Sequence, residues 1–474
     1  MRVRPILLAV ALLCIARAAD AQETQCRLVR SSGTAQSFNV GTPYQVDHIP
    51  HPVFACAGGL TISADSATFV HSTRQVSLFR NVVYEDTAKS LRADQAQYSS
   101  PTRHLAAQGN VVLRDLAGGS RIEGPTLDYF EAMAGRPVST VEIYSGRPRT
   151  TVTREVVEDG LVRVDTTRID ANALQIIGED EFHFRGDVVI TGPDLRATAG
   201  FADFLEGGGR TVLTSLARVE AADVVLLGDT VVAVQDTAAG VLREVHARGD
   251  ARLDAADVDV DAPAVHTYFE DGVVQRLVAV GRGGAPGAAI EQAHAYAEQF
   301  NLTADSIDAL LPAQQLDEVV AIGNAYGERL AADDSTRIMM QPETAADSAL
   351  AQILAHDWVR GDTVRAFFAA APDSAASVGA AADTAVVVAA ARDSAQTRVL
   401  ERVVALGAPA RSANRMVNED RPDEPAGISY LTASRIVVML EDGQIGNVEA
   451  EGDVRGVYLQ PPEVARTANG AEAR

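Results

Sequence analysis

The sequence predicts an all-β protein made by stacking one small strand unit many times. The first observation is a recurring phrase: a small residue, any residue, Gly, Asn or Asp, then an apolar residue. It occurs at Ala107-Gln108-Gly109-Asn110-Val111, Ala247-Arg248-Gly249-Asp250-Ala251, Ala321-Ile322-Gly323-Asn324-Ala325 and Ala450-Glu451-Gly452-Asp453-Val454, with looser copies ending at Val188 and Val82. The second is a companion phrase, apolar-x-Ala followed by Asp, Ser or Thr, at Ile62-Ser63-Ala64-Asp65, Leu91-Arg92-Ala93-Asp94, Leu302-Thr303-Ala304-Asp305 and Leu431-Thr432-Ala433-Ser434, with a further copy at Leu195-Arg196-Ala197-Thr198. The spacing between them holds: Ala64 to Asn81 and Ala93 to Asn110 are 17 residues each, and Ala304 to Asn324 and Ala433 to Asp453 are 20 each. The third observation is a period of two inside each unit, the signature of strand. Repeated units of this size cannot bury their apolar faces alone and stack into one continuous core.

The alternation gives each strand an inside. The first and third residues after the Asn or Asp are Val82 and Tyr84, Val111 and Leu113, Val188 and Ile190, and Ala251 and Leu253; Val454 takes the first place in the last copy. The second and fourth places hold Arg252, Arg455, Arg114, Glu85 and Asp254. An unpaired buried arginine is costly, so that face looks to solvent and the other inward. Gly327 and Gly456 at the third inward place narrow the side-chain layer or mark a bulge. The Gly-Asn/Asp step suits a turn or bulge where the chain bends into the next strand.

Along the chain, residues 1–21 read as a cleaved secretory signal. Arg2 and Arg4 precede a short apolar run, and Ala19-Asp20-Ala21 supplies the small-x-small site. A lipoprotein anchor at Cys14 is the rival, weakened by Leu12 and Leu13 before it. Export leaves Cys26 and Cys56 in residues 22–58, the N-terminal extension. An oxidising compartment favours a disulfide between them, and two free thiols are the alternative. Repeat units then fill 59–330 and 331–460, the latter interrupted by a low-complexity Ala/Ser/Asp/Val insertion near 369–396, before a polar tail at 461–474. Gly281 to Gly287 reads as a loop and Thr344 to His356 as a short helix. The formal charge of −23 becomes −25 once Arg2, Arg4, Arg17 and Asp20 leave with the signal, and Lys89 is the only lysine. Such a surface argues against nucleic acid as a partner.

The paired phrases behind a signal peptide resemble the OstA-like (LptA-like) family of periplasmic lipopolysaccharide-transport proteins. The likeness is tightest over Leu60 to Thr150 and clear at Gly178 to Leu253, Leu302 to Arg329 and Ile428 to Tyr458. It implies an open β-jelly roll whose groove holds acyl chains. It also implies end-to-end joining through exposed edge strands, to a second copy or to the inner- and outer-membrane transport proteins of an Lpt-type pathway. The chain is longer than the small bridge protein of that family and carries an added extension and insertion.

Function is therefore expected to lie in the stack. An apolar strip formed by Val82, Tyr84, Val111, Leu113, Val188, Ile190, Leu253 and Val454 accepts acyl chains if it stays open, at about 0.8 kcal/mol per buried methylene. If it closes, the protein is a structural β-stack of the envelope without cargo. No catalytic residue, cofactor or metal is expected. His48-Ile49-Pro50-His51 lacks a helix to display both rings, and no Ser-His-Asp or phosphate-loop context appears. The Arg-Gly-Asp triplets at Arg185, Arg248 and Arg360 read as backbone turns. The expected place is the periplasm, in association with the outer membrane.

Overall fold

A computed structural model of the chain describes residues 26–459 except 57–58, 117–118, 159–160, 179, 194, 206–208, 222–223, 237–240, 256–257, 271–272, 283–290, 298–299, 313–314, 330–356, 371–397, 417–426 and 442–443. The signal, the expected helix at 344–356, most of the Gly-rich loop, nearly all of the low-complexity insertion and the polar tail fall outside the described residues. What is described is all β, in two compact units that divide after Gly178.

In the first unit, four long strands, Gln75–Glu85, Lys89–Ser99, His104–Asp115 and Arg121–Phe130, each run through two antiparallel layers. Residues 75–79, 95–99, 104–108 and 126–130 pair in one layer, continued by Ser66–Val70, Val46–Pro50 and Gln36–Phe38 on one side and by Thr140–Ile143 and Ala173–Ile177 on the other. Residues 82–85, 89–92, 111–115 and 121–124 pair in the second layer, continued by Thr61–Ser63, Val53–Ala55 and Arg27–Arg30, and by Arg149–Glu158 and Leu161–Asp170. The expected N-terminal extension is thus part of both layers. Cys26 and Cys56 form a disulfide at the end of the Arg27–Arg30 and Val53–Ala55 pair. Its 30-residue separation corresponds to about 3–4 kcal/mol in the chain-entropy model.

The second unit repeats the plan. Strands such as Glu181–Thr191, Leu195–Leu205, Val241–Asp254, Glu318–Arg329 and Asp357–Ala370 cross both layers. Where the loops are longer, the crossing strand is replaced by two short ones. Val273–Val280 and Ser306–Leu310 lie in one layer, and Ala293–Ala297 and Phe300–Ala304 in the other. Gln444–Glu451 and Arg455–Leu459 end the two layers.

The recurring phrases are the corners at which a strand passes from one layer to the other. Two consecutive residues have left-handed φ at Arg80/Asn81, Gly109/Asn110, Gly186/Asp187, Ser215/Leu216, Gly249/Asp250, Gly323/Asn324 and Gly452/Asp453. The register with the neighbouring strand breaks at the same places, two residues facing one. Gly, Asn and Asp tolerate this backbone and other residues resist it, which explains the phrase. At six of these places the bend lies inside a strand, whereas at Gly452/Asp453 it lies between Gln444–Glu451 and Arg455–Leu459, as expected from the sequence.

The companion phrase supplies the other half of the corner. Asn81 Nδ2 donates to Asp65 Oδ2 at 3.0 Å, Asn110 to Asp94 at 2.8 Å and Asn324 to Asp305 at 3.2 Å. The constant spacing exists because the two phrases touch. Alanines line the inside of the corners, where the layers converge: Ala93, Ala107, Ala247, Ala251, Ala304, Ala321 and Ala325 are all buried. Larger side chains lie farther along the strands, such as Leu105 and Leu113, and in two corners the place of Ala107 is taken by Leu78 and Phe184. The first two Arg-Gly-Asp triplets are corners, and the third lies opposite the corner at Gly323.

Two corners depart from the rule: Arg80, with φ 61°, precedes Asn81 in one, and the other has no Gly, Asn or Asp. Ser215 and Leu216 hold φ of 70° and 55°, and Leu216 is 82% exposed. A non-glycine left-handed residue costs roughly 1–2 kcal/mol, less for Asn. Leu216→Asn should stabilise the second unit by about 1 kcal/mol, read as a higher urea midpoint. An unchanged or lower midpoint would contradict this account of the phrase.

Candidate functional site

The candidate site is the space between the two layers, away from the corners. Val82, Tyr84, Val111 and Leu113 in the first unit, and Val188, Ile190 and Leu253 in the second, are each no more than 9% exposed. Their partners across the strands are buried too, including Leu91, Ile122, Ala197 and Val260. Val454 does not join them: it is 52% exposed. It immediately precedes Arg455–Leu459, the last strand of its layer, every residue of which is exposed. No further described strand covers that end. Gly327 stays in register between Glu328 and Tyr326, so it is no bulge. A Cβ there would lie 2.6 Å from Phe300 Cζ, so the missing side chain makes room for that ring.

In the first unit the side of the interior opposite the corners is closed by a tyrosine-glutamate clasp. Tyr84 comes from one layer, Tyr98 and Tyr129 from the other. The rings of Tyr84 and Tyr129 meet edge to face at 5.9 Å. The Tyr84 hydroxyl donates to Glu131 Oε1 at 3.4 Å, and Lys89 Nζ lies 5.9 Å from the Tyr129 ring centre. Burial pushes the Glu131 carboxyl above its ordinary range, partly offset by the Tyr84 hydroxyl. Burial, then the Glu131 charge, raises Tyr84 strongly and moves Tyr98 to about 12, so both remain hydroxyl donors.

Because the folded state holds the Glu131 proton more tightly than the unfolded chain, this group favours folding most below the unfolded pKa. That contribution falls as pH rises through the raised folded value. Glu131→Gln should therefore gain stability relative to the wild type as pH rises above the ordinary glutamate range, and hold the gain at higher pH. Hydrogen exchange of the Gln75–Glu85 amides measures this, and a difference independent of pH would contradict it.

In the second unit the interior keeps two adjacent clefts lined from both layers. One, with about 50 Å³ of free volume, is bounded by Val260, Leu277, Phe300, Leu302, Ile307 and Phe368. The other, of about 30 Å³ on the same measure, shares Phe300 and is bounded by Val359, Leu400, Val403 and Val438. Arg329, Asp357 and Asn414 also border it, although almost all of the surface it exposes is apolar. Asp357 Oδ1 accepts from the Arg415 backbone N–H at 2.6 Å; Arg415 Nε stands 3.7 Å from that oxygen and an Arg329 terminal nitrogen 3.9 Å from Oδ2. Asn414 donates to Ser412 Oγ at 3.1 Å. These inward polar groups were missed in the sequence, although Arg329 has the parity of buried Ala325 and Gly327.

Strand register brings together two histidines that are 20 residues apart in the sequence. His246 pairs directly with His266. Their Nδ1 atoms are 2.5 Å apart, and His246 Nε2 is 2.8 Å from Glu244 Oε2. Burial, then the neighbouring ring, lowers the His266 pKa. Among the described residues no three His, Cys, Asp or Glu side chains are placed to hold a metal ion.

Fold and site together define a repetitive all-β protein with an apolar interior between two layers of bent strands. No family model matches the chain, and no curated protein matches it.

Proposed function

We propose that this is a periplasmic lipid-handling protein of the OstA-like kind. It carries or bridges lipopolysaccharide, or a related lipid, from the inner to the outer membrane through the space between the layers of a β-jelly roll. The observation that carries the reading is the pair of apolar clefts between the layers of the second unit. Acyl chains transferred there leave water at about 0.8 kcal/mol per methylene. The residues that line the clefts bind and shield the chains, with no covalent step.

The open edges support the assembly part of the proposal. Among the described strands, Gln444–Glu451 and Arg455–Leu459 each pair on one side only, with Gly427–Glu441. Val457, Tyr458 and Leu459 are exposed there. At the other end Gln36–Phe38 pairs only with Val46–Pro50. Unpaired edges accept a strand from a second copy or from an Lpt-type partner in either membrane.

The test replaces aromatic side chains by a photo-reactive aromatic residue in cells. Phe300 and Phe368 line the larger cleft, whereas Phe367 lies on the outer face under the Arg365 and Arg402 guanidinium groups. Lipid adducts at Phe300 and Phe368 and none at Phe367 are expected. Adducts at none of the three, or equally at all, would remove the conduit reading.

A structural envelope β-stack without cargo is the second reading. It is favoured by the burial of Val82, Val111 and Val188 against the chain's own side chains.

A further inference from the structure

We infer that the outer face of the second unit, beside its last strand, docks an acidic segment of a partner protein. This deepens the assembly part of the reading above and rests on it. In the layer that ends with Arg455–Leu459, register and alternation set Tyr326, Trp358, Arg360, Arg411, Tyr430 and Arg455 on the face turned away from the interior. Tyr326 pairs with Arg360, Arg360 with Arg411, Arg411 with Thr432 and Thr432 with Arg455, which makes one row across the strands. In the next row Ala413 lies between Trp358, the only tryptophan of the chain, and Tyr430. The Trp358 ring stands 6.1 Å from that of Tyr326 and 6.2 Å from that of Tyr430. An aromatic cluster is thus bordered by three exposed arginines.

The fold gives no reason for the arginines. Like charges directly opposite in a sheet are destabilising, and Arg360 faces Arg411. Where arginines face each other in the first unit, at Arg114 and Arg121, Glu123 is ion-paired with Arg121. On the second unit Arg252 is held by Asp254 and Arg276 by Asp308. Among the described residues the guanidinium groups of Arg360, Arg411 and Arg455 form no ion pair and no hydrogen bond. Glu328 nearby is taken up by the Tyr326 hydroxyl and the Asn301 amide, and Asp362 and Asp453 lie toward the corners. The result is a positive patch on a chain of net charge −23, and charge complementarity selects an anionic partner. Tryptophan, tyrosine and arginine are the side chains that dominate contacts between proteins. The one-sided edge Arg455–Leu459 offers a peptide a ladder of backbone hydrogen bonds, which a sugar chain cannot complete. A strand added there sets alternate side chains beside Arg455 and Val457 on this face, so acidic residues at every second place fit it.

The probes are a fluorescein-labelled decapeptide of alternating glutamate and threonine, its glutamine–threonine counterpart and a labelled heparin-derived decasaccharide. Each is titrated with the full-length mature protein by fluorescence anisotropy. The wild type should bind the acidic peptide at least tenfold more tightly than the neutral one. Arg360→Gln combined with Arg411→Gln should remove that preference and leave the neutral peptide within twofold. Arg114→Gln removes an exposed arginine of the first unit and should leave all affinities within twofold. If the two peptides bind alike, or Arg114→Gln weakens the acidic one as much as the double variant does, the acidic-partner inference is overturned and the edge reading stands. If the decasaccharide binds as tightly as the acidic peptide and is lost in the same double variant, the face takes polyanions at large and the inference is likewise overturned. If neither peptide binds, the inference and the assembly part of the reading both fall, while lipid adducts at Phe300 and Phe368 still decide the cargo.

Discussion

Gly109→Ala is expected to destabilise the first unit by about 3 kcal/mol, although it adds a single methyl group. Gly109 has φ +77°, and a Cβ built there would lie 2.5 Å from Asp94 Oδ2 and 2.8 Å from Asp94 Cβ. The left-handed backbone alone accounts for roughly 1–2 kcal/mol with an L side chain. The remainder is steric. Asp94 Cβ is fixed to its own strand, so its carboxylate cannot swing clear without moving the Lys89–Ser99 backbone. That movement also strains the Asn110–Asp94 hydrogen bond of 2.8 Å, worth about 1 kcal/mol. Gly135 provides the internal standard, with φ +86° and nothing within 4 Å of a built Cβ. Gly135→Ala should cost only the backbone share, about 1–2 kcal/mol. Thermal and urea unfolding followed by circular dichroism compare the two. Equal costs would show that the Asp over the glycine is incidental to the corner. The same contact recurs at Gly249 under Asp229 and Gly323 under Asp305, so their alanine variants should behave alike.

That corner marks how far the sequence could be read. The phrases, their spacing and the two-residue alternation were all visible, and Val111, Leu113, Val188 and Ile190 could be set on the inner face from them. What the spacing meant was not visible. Asp94 and Asn110 are 16 residues apart in sequence and touch only because the strand bends between layers. A hydrophobic period is local and carries no information about that lateral contact. Val454 fails for a related reason: its pattern matches the inner strip, but burial also needs a neighbour beyond it, and no further described strand lies there. The clasp was illegible too. Tyr84 and Glu131 are separated by 47 residues, and Glu131 follows its strand rather than sitting in the repeat. Arg329 and Asp357 are inward by parity, yet a reading that assigns charges to solvent passes over them. Inward charge is where local pattern and site chemistry part company.

The interior of the first unit offers the other large effect. Leu105→Ala should cost about 2–5 kcal/mol, the range for truncating a buried leucine. The upper half of that range is expected, because Leu105 is 0% exposed and lies between Tyr98 and Tyr129 in adjacent strands. Two large rings held by strand register cannot close over the space that the leucine leaves. Leu116, 52% exposed, is the contrast; its alanine variant should stay within about 0.5 kcal/mol of the wild type. The consequence reaches the clasp. Both rings that flank Leu105 surround Glu131, whose carboxyl is raised chiefly by burial. A looser packing admits water, which lowers the cost of the ionised form and draws the Glu131 pKa back toward its ordinary value. The pH-dependent gain from Glu131→Gln should then shrink in the Leu105→Ala background, a coupling that a double-mutant cycle isolates because the groups share neighbours. Strict additivity would mean that the leucine fills space without holding the tyrosines. A reduced pH dependence would instead tie the packing between the layers to the group that closes them.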